Sequence, residues 1–320
     1  MKVMVTGAFG NVGRSTIDAL LAEGHCVRAF DLRTRTNRRA ARGFGGRVEV
    51  AWGDVRDPRA LSRAAGGMDA VVHTAFVIPP ESERRPEWAR EINVGGTRNL
   101  VDALRRAPRA PRLVYTSSVS VTGPRGAADE PPITAAHPTR ATDAYTAHKI
   151  ETEAMVRASG LDWTILRLGA VLPMELPKRF HPMAFAIPED QRIEVVHVRD
   201  VGLALARAVA CDEAAGRILL IGGGERCRLR SRELRIRVGA LVGLPDLPEA
   251  AFARRPYYTD WMDTDEAQRL LQFQRHDLDD YVAEMKSRVS PLVPAVMRLF
   301  GGWIARQLLA QSPYYCGSER

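Results

Sequence analysis

A short apolar run, Val3-Met4-Val5, breaks into Thr6-Gly7-Ala8-Phe9-Gly10-Asn11-Val12-Gly13 and then into a helical stretch from Arg14 to Ala22. No other feature of the chain restricts its fold as much. Gly7 permits a tight turn, Gly10 lets the backbone approach a pyrophosphate, and Gly13 lets the helix pack closely on the strand. The turn also brings Phe9, Asn11 and Val12 to the helix N-terminus, whose unpaired N–H groups and positive dipole end suit phosphates. A glycine turn alone joins many strands to many helices, so its context decides. A second apolar run, Cys26–Phe30, ends on Asp31 about twenty residues on, where a carboxylate meets the adenosine ribose hydroxyls of a bound dinucleotide. Asp31 favours NAD. Arg33, with Arg35, Arg38 and Arg39 behind it, keeps NADP open, because a guanidinium there suits a 2′-phosphate. Gly53-Asp54-Val55 follows the third apolar run and places a carboxylate where the adenine amino group would lie.

Short apolar runs recur with helix-like stretches between them, at Val48–Val50, Ala70–His73, Arg112–Tyr115 and Trp163–Leu166. This alternation predicts an α/β fold, a Rossmann-type doubly wound parallel sheet covered by helices on both faces. Residues 1–170 read as the dinucleotide-binding domain, with 193–222 returning to it. Residues 171–192, rich in proline (Pro173, Pro177, Pro182, Pro188), and 223–290, mostly helical, read as the substrate-binding part. The tail from 291 to 320 carries Val296, Leu299, Phe300, Trp303 and Ile304 with Arg298 and Arg306 beside them, a broad amphipathic stripe. It is expected to pack on the domain or on another subunit, with a peripheral membrane contact as the alternative.

Bulk properties narrow the partners. The net charge of +8 comes from arginines spread along the chain, and lysine occurs only at 2, 149, 178 and 286, so no block of charge marks a nucleic-acid surface. The scattered charge still suits attraction of an anionic dinucleotide. No apolar run approaches the roughly 20 residues a membrane-spanning helix needs. The first residues run straight into a strand-like segment, leaving no room for a signal peptide, so a cytoplasmic location is expected. Cys26, Cys211, Cys227 and Cys316 lie too far apart in sequence for a redox pair or a metal motif and are expected to be reduced; no metal is expected.

Tyr145-Thr146-Ala147-His148-Lys149 sits in a helical stretch, where an i, i+4 spacing puts phenol and ammonium on one face. With seven tyrosines and four lysines in 320 residues, chance supplies about 0.1 such pairs. A free phenol titrates near 10, and a neighbouring cation stabilises its phenolate, so Tyr145 with Lys149 forms a candidate acid/base unit. Upstream, Tyr115-Thr116-Ser117-Ser118-Val119-Ser120 ends a strand in hydroxyls at the carboxyl edge of the sheet, where ligands bind in open α/β folds. A serine there hydrogen-bonds a substrate oxygen as its charge changes.

Taken in order, Thr6–Gly13, Asp31, Asp54-Val55, His73-Thr74-Ala75, Ile92-Asn93-Val94-Gly95-Gly96-Thr97, Ser118, Tyr145 with Lys149, and His197-Val198-Arg199-Asp200 resemble the extended short-chain dehydrogenase/reductases, the NAD-dependent epimerase/dehydratase family, over roughly residues 1 to 285. The resemblance implies about seven parallel strands, NAD(P) lying across them past Thr74 and Ala75, a small C-terminal domain over the substrate, and a homodimer. It also implies that Lys149 holds the nicotinamide ribose and that Ser118, five residues before Gly123, is the catalytic serine. Asn93, His73 and His197 are read as structural. The family's sugar-nucleotide members carry an asparagine where Ala170 stands here, and its dehydratases carry Asp-Glu where Val119-Ser120 stands, which disfavours both chemistries. The apolar Phe76–Pro80 and Pro182–Ile187 segments suit a hydrophobic small molecule. The expected activity is NAD(P)-dependent interconversion of a secondary alcohol and a ketone. The alternatives are an epimerase of a sugar or sugar nucleotide that keeps its NAD bound, and a noncatalytic dinucleotide sensor.

Overall fold

The computed structural model describes residues 1–174, 182–290 and 292–316. Pro177, Pro291 and residues 317–320 of the tail lie outside them. β1 (Lys2–Thr6), α1 (Asn11–Ala22), β2 (Cys26–Asp31), α2 (Arg35–Arg42), β3 (Glu49–Trp52), α3 (Pro58–Ala65) and β4 (Ala70–His73) wind the first half of the main sheet. α4 (Glu81–Arg84) and α5 (Pro86–Arg90) lead through a π-helical turn, Glu91–Gly95, into α6 (Gly96–Arg105). β5 (Arg112–Ser118), α7 (Ala144–Arg157) and β6 (Trp163–Leu168) continue the winding, and β7 (Ala170–Leu172) and β8 (Arg192–His197) leave it. α8 (Val198–Ala208) and β9 (Ile218–Ile221) return, followed by β10 (Arg228–Arg230), α9 (Ser231–Val242), α10 (Asp265–Leu271), α11 (Leu278–Arg288), α12 (Leu292–Leu299) and α13 (Gly301–Leu309).

The main sheet has seven strands in the order β3-β2-β1-β4-β5-β6-β9, and every neighbouring pair is parallel. Strand side chains alternate between faces, so β1 feeds two cores. Val3 and Val5 pack with Ile17, Leu20 and Leu205 under α1 and α8. Met4 packs on the other face with Leu61, Leu100, Leu113, Tyr115 and Ile165 under α3 and α6. Chain order reverses between β1 and β4, and the crevice at that reversal is where an open parallel sheet receives its ligand.

Two segments depart from the sequence-based expectation. Ile193–Val196 does not return to the main sheet; β8 pairs parallel with β7 and antiparallel with β10 in a second, three-stranded sheet. The chain steps off the main sheet at Gly169, whose N–H still bonds Ile221, and the displaced β7 takes β8 as its partner. Within 193–222, α8 and β9 rejoin the main sheet and its covering layer. Conversely, α10 within the expected substrate part packs back on the main core through Ala267 and Leu271, with Phe273 just beyond it. The small lobe proper is the second sheet with α9 and α11, closed over Ile193, Val195, Leu229, Leu241, Leu278 and Met285.

Candidate active site

The glycine turn forms the floor of the crevice. Gly7 adopts φ +62°, and a Cβ there would lie 2.8 Å from the backbone of Ala75 on the neighbouring strand end. A Cβ on Gly13 would lie 2.3 Å from the carbonyl oxygen of Gly7, so the close approach of α1 to β1 requires glycine. Asp31 closes the cradle from the end of β2. One carboxylate oxygen accepts the Phe9 N–H at 2.9 Å, and the other accepts the Leu32 N–H at 2.7 Å and the Asn37 side-chain amide at 3.0 Å. Burial raises the pKa of this carboxyl and the two backbone donors oppose the shift. Phe9 itself packs against Trp52 and Phe44, which fixes the turn. Thr74 donates to the Thr6 carbonyl at 2.7 Å and holds Ala75 opposite the glycines.

Of the remaining expected cofactor residues, Asn11 opens α1, Val12 follows it, and Val55 is buried against Gly96. Asp54 forms a two-point ion pair with Arg56, at 2.7 and 3.1 Å, which holds its carboxyl below the usual range. Arg33 is exposed beyond the end of β2. Beside the cradle, Arg14, Arg35, Arg38, Arg39, Arg47 and Arg199 line a groove whose described lining contains one carboxylate, Asp18. Such a field concentrates an anionic dinucleotide at the turn. The cradle fits NAD: it has backbone room at Gly10, α1 N–H groups for the pyrophosphate and Asp31 for the ribose.

The reactive side chains come together at the carboxyl edge of β5. Asp143 caps α7 by accepting the Thr146 N–H at 2.7 Å, and Thr146 returns a bond to the cap. α7 then presents Tyr145 and Lys149 on one face. The Ser118 hydroxyl lies near enough to the Tyr145 phenol to lower its pKa. Ser118 Oγ accepts the Ser120 hydroxyl at 2.8 Å and the Ser120 N–H at 3.2 Å, so its own proton is free to point toward Tyr145 or a substrate oxygen. Lys149 Nζ donates to the Thr116 carbonyl at 2.6 Å and lies 5.9 Å from the centre of the Tyr145 ring. Burial pushes the Tyr145 phenol up to about 12, opposed by the Ser118 hydroxyl, and pushes the Lys149 ammonium down to about 7.

Three contacts of this group were not expected from the sequence. Phe76 lies with its ring centre 3.5 Å from Lys149 Nζ and meets Tyr145 edge-on at 5.8 Å; its position one residue past His73-Thr74-Ala75 was the available signal. Glu83 accepts the N–H groups of Ala144 and Tyr145 at 3.1 and 3.0 Å. Ser120 orients Ser118 through its hydroxyl and its N–H. Asn93, placed by the π-helical turn, accepts the Val77 N–H at 2.6 Å and donates to its carbonyl at 2.9 Å, pinning the segment that carries Phe76. His73 is buried between the hydroxyls of Thr6 and Thr97, and burial lowers its pKa to about 3. His197 lies in the small lobe, stacked on His276.

Residues 3–222 match the family model described as the NAD dependent epimerase/dehydratase family. The chain belongs to that family. The family is one of NAD-dependent enzymes, and the glycine cradle with Asp31 has the form such a cofactor requires. It is 36% identical over 178 residues to the sterol demethylase protein B of Methylococcus capsulatus, covering 54% of this chain and 52% of that protein. It is 36% identical over 172 residues to the 3 beta-hydroxysteroid dehydrogenase/Delta 5-->4-isomerase of Mycobacterium tuberculosis, covering 50% of this chain and 44% of that protein. The chain therefore aligns with about half the length of these curated relatives. Among solved structures it superposes on a UDP-glucose-4-epimerase from Stenotrophomonas maltophila with bound NAD, at TM-score 0.74 and 23% identity, covering 93% of this chain and 98% of that one. A dTDP-glucose 4,6-dehydratase from Streptomyces venezuelae gives TM-score 0.75 at 24% identity, covering 95% and 98%. At these identities the structures share the fold.

Proposed function

We propose that the enzyme interconverts a secondary alcohol and a ketone on an apolar, ring-bearing molecule of the hydroxysteroid kind. The observation that carries the chemistry is the Tyr145–Ser118–Lys149 group at the carboxyl edge of β5, with the Ser118 lone pairs committed to Ser120. When bound, NAD supplies the hydride acceptor or donor. Ser118 donates its free proton to the substrate oxygen and holds it beside Tyr145. With its pKa near 12, the Tyr145 phenol is protonated at neutral pH and set to donate to a developing alkoxide in the reduction direction. For oxidation, Tyr145 must take the alcohol proton, and the Lys149 cation next to it lowers the cost of the phenolate. The apolar substrate class is supported by Phe76 beside Tyr145, by Ala170 in place of the asparagine of sugar-nucleotide members, and by the two steroid- and sterol-named relatives.

The test is NADH formation with a panel of hydroxysteroids and of sugar nucleotides, using wild type and Tyr145→Phe. The variant is expected to lose about 10²- to 10⁴-fold in turnover with NAD affinity nearly unchanged. Undiminished turnover removes Tyr145 as the acid/base. A second reading, an epimerase, has one observation in its favour: 34% identity over 172 residues to the UDP-glucose 4-epimerase of Corynebacterium glutamicum. Stoichiometric NAD released only by denaturing the protein, and not exchanging in its native form, would favour that reading over a dehydrogenase.

A further inference from the structure

α12 and α13 carry an apolar face that the described molecule leaves uncovered. Leu292, Val296, Leu299 and Trp303 recur at three- and four-residue spacing, with Phe300 beside Leu299, which makes one stripe. Leu299 is 81% exposed, Leu292 71%, Trp303 58% and Phe300 57%. The expectation that the tail packs on the domain therefore holds for one side alone. On that side Leu308, Ile304, Ala305 and Leu309 seat against Phe185, Leu247 and Phe252, and the Ser312 hydroxyl donates to the Ala251 carbonyl at 2.6 Å. α12 is held at Pro294, so close to Gly243 that a Cβ there would lie 2.7 Å from the Pro294 carbonyl oxygen. The helices are fixed to the small lobe by one face and turn the other outward.

The charge on this segment has one sign. From Val289 to Cys316 there is no aspartate or glutamate, while Arg298 and Arg306 are both exposed, and Lys286 and Arg288 immediately precede. A twofold contact between two copies through this stripe would bring like arginines together with no acid in the segment to answer them. An anionic surface answers them directly. Neither helix approaches the roughly 20 residues needed to cross a bilayer, and no described helix is long and apolar enough to do so. An apolar stripe with tryptophan and flanking arginines on a short helix is the pattern of a segment lying in the headgroup plane.

We infer that the α12–α13 face docks the enzyme on an anionic lipid surface, with Leu292, Val296, Leu299, Phe300 and Trp303 in the acyl boundary and Arg298 and Arg306 at the headgroups. This stands independently of the reaction the crevice performs. The test is flotation of the full chain with vesicles of phosphatidylglycerol mixed with phosphatidylcholine, and with vesicles of phosphatidylcholine alone, at low and high salt. Wild type is expected to float with the mixed vesicles and to lose most of that binding at high salt. Arg298→Gln with Arg306→Gln should weaken binding to the mixed vesicles by on the order of tenfold. Leu299→Asp with Trp303→Asp should weaken binding to either vesicle by more than about tenfold. Both variants should bind NAD as wild type does, because the replaced side chains face solvent. Absence of flotation, or flotation unchanged by both variants, overturns the inference. A wild-type dimer that Leu299→Asp dissociates, without vesicle binding, overturns it in favour of a second copy of the chain.

Discussion

Lys149 is the residue at which function and stability pull apart. It is nearly inaccessible, with one hydrogen bond to the Thr116 carbonyl and the face of Phe76 against its ammonium. In the unfolded chain this group titrates near 10.5, and in the folded chain near 7. Between those values the unfolded chain holds a proton that the folded chain lacks, so Lys149 adds stability as pH rises from about 7 to about 10.5. Below about pH 7 both states are protonated and the full cost of burying the charge is felt. Lys149→Met is therefore expected to raise stability near pH 6.5 by on the order of 2 to 4 kcal/mol, with no gain above about pH 10.5, and to depress turnover. Urea unfolding of both proteins near pH 6.5 and pH 9.5 measures it, and equal stability at the lower pH would remove the argument. The Tyr145–Lys149 pair was legible because a helix period fixes which side chains share a face. The contact of Phe76 with that pair was not, since Phe76 sits in an irregular segment whose side-chain directions follow from the Asn93–Val77 bonds, formed sixteen residues apart.

At the scale of elements, α7 owes its placement to two caps of different reach. Asp143 is local, one residue before the helix. Glu83, on the short α4, arrives from sixty residues upstream and takes the first N–H groups, including that of Tyr145 itself. A carboxylate at a helix N-terminus also meets the positive dipole end. Because Glu83 is exposed, water replaces its bonds when it is removed, and the expected loss of stability for Glu83→Ala is about 1 kcal/mol or less. Its effect on turnover should be larger, about tenfold in kcat, because the first turn of α7 sets where the phenol meets Ser118. NAD affinity should be unchanged, since the glycine cradle lies on other elements, and Glu83→Gln, which keeps one acceptor, should recover part of kcat. Unaltered kcat in Glu83→Ala would reduce Glu83 to a surface cap. The sequence made α7 and its reactive face readable from periodicity, whereas a clasp between α4 and α7 has no local pattern to betray it.

At the scale of the whole molecule, the alternation of apolar runs made the main sheet readable, but such a run does not say which sheet it joins. β8 shows why. Its backbone partners are β7 and β10, and Glu194 within it is completely buried, accepting the Met262 and Gly224 N–H groups beside Arg228. Those partners lie 30 to 68 residues away, and only the fold brings them in. The lobes are joined by a similar long-range device. Asp260, fully buried, accepts Arg192 at 2.5 and 2.8 Å and the Trp261 N–H at 2.8 Å, while Arg192 also donates to the carbonyls of Gly126 and Asp129 from the dinucleotide domain. Removing one partner of such a pair leaves the other charge buried and unanswered, at about 3 to 5 kcal/mol. Asp260→Ala is therefore expected to loosen the small lobe while the seven-stranded sheet, whose cores do not include Asp260, stays folded. Substrate KM should rise with the NAD dissociation constant held, and urea unfolding should divide into an early small-lobe step and a later main-domain step. A single transition that releases NAD as the small lobe opens would mean that the two lobes fold as one unit and that the Arg192–Asp260 pair stabilises the whole enzyme rather than a closing cap.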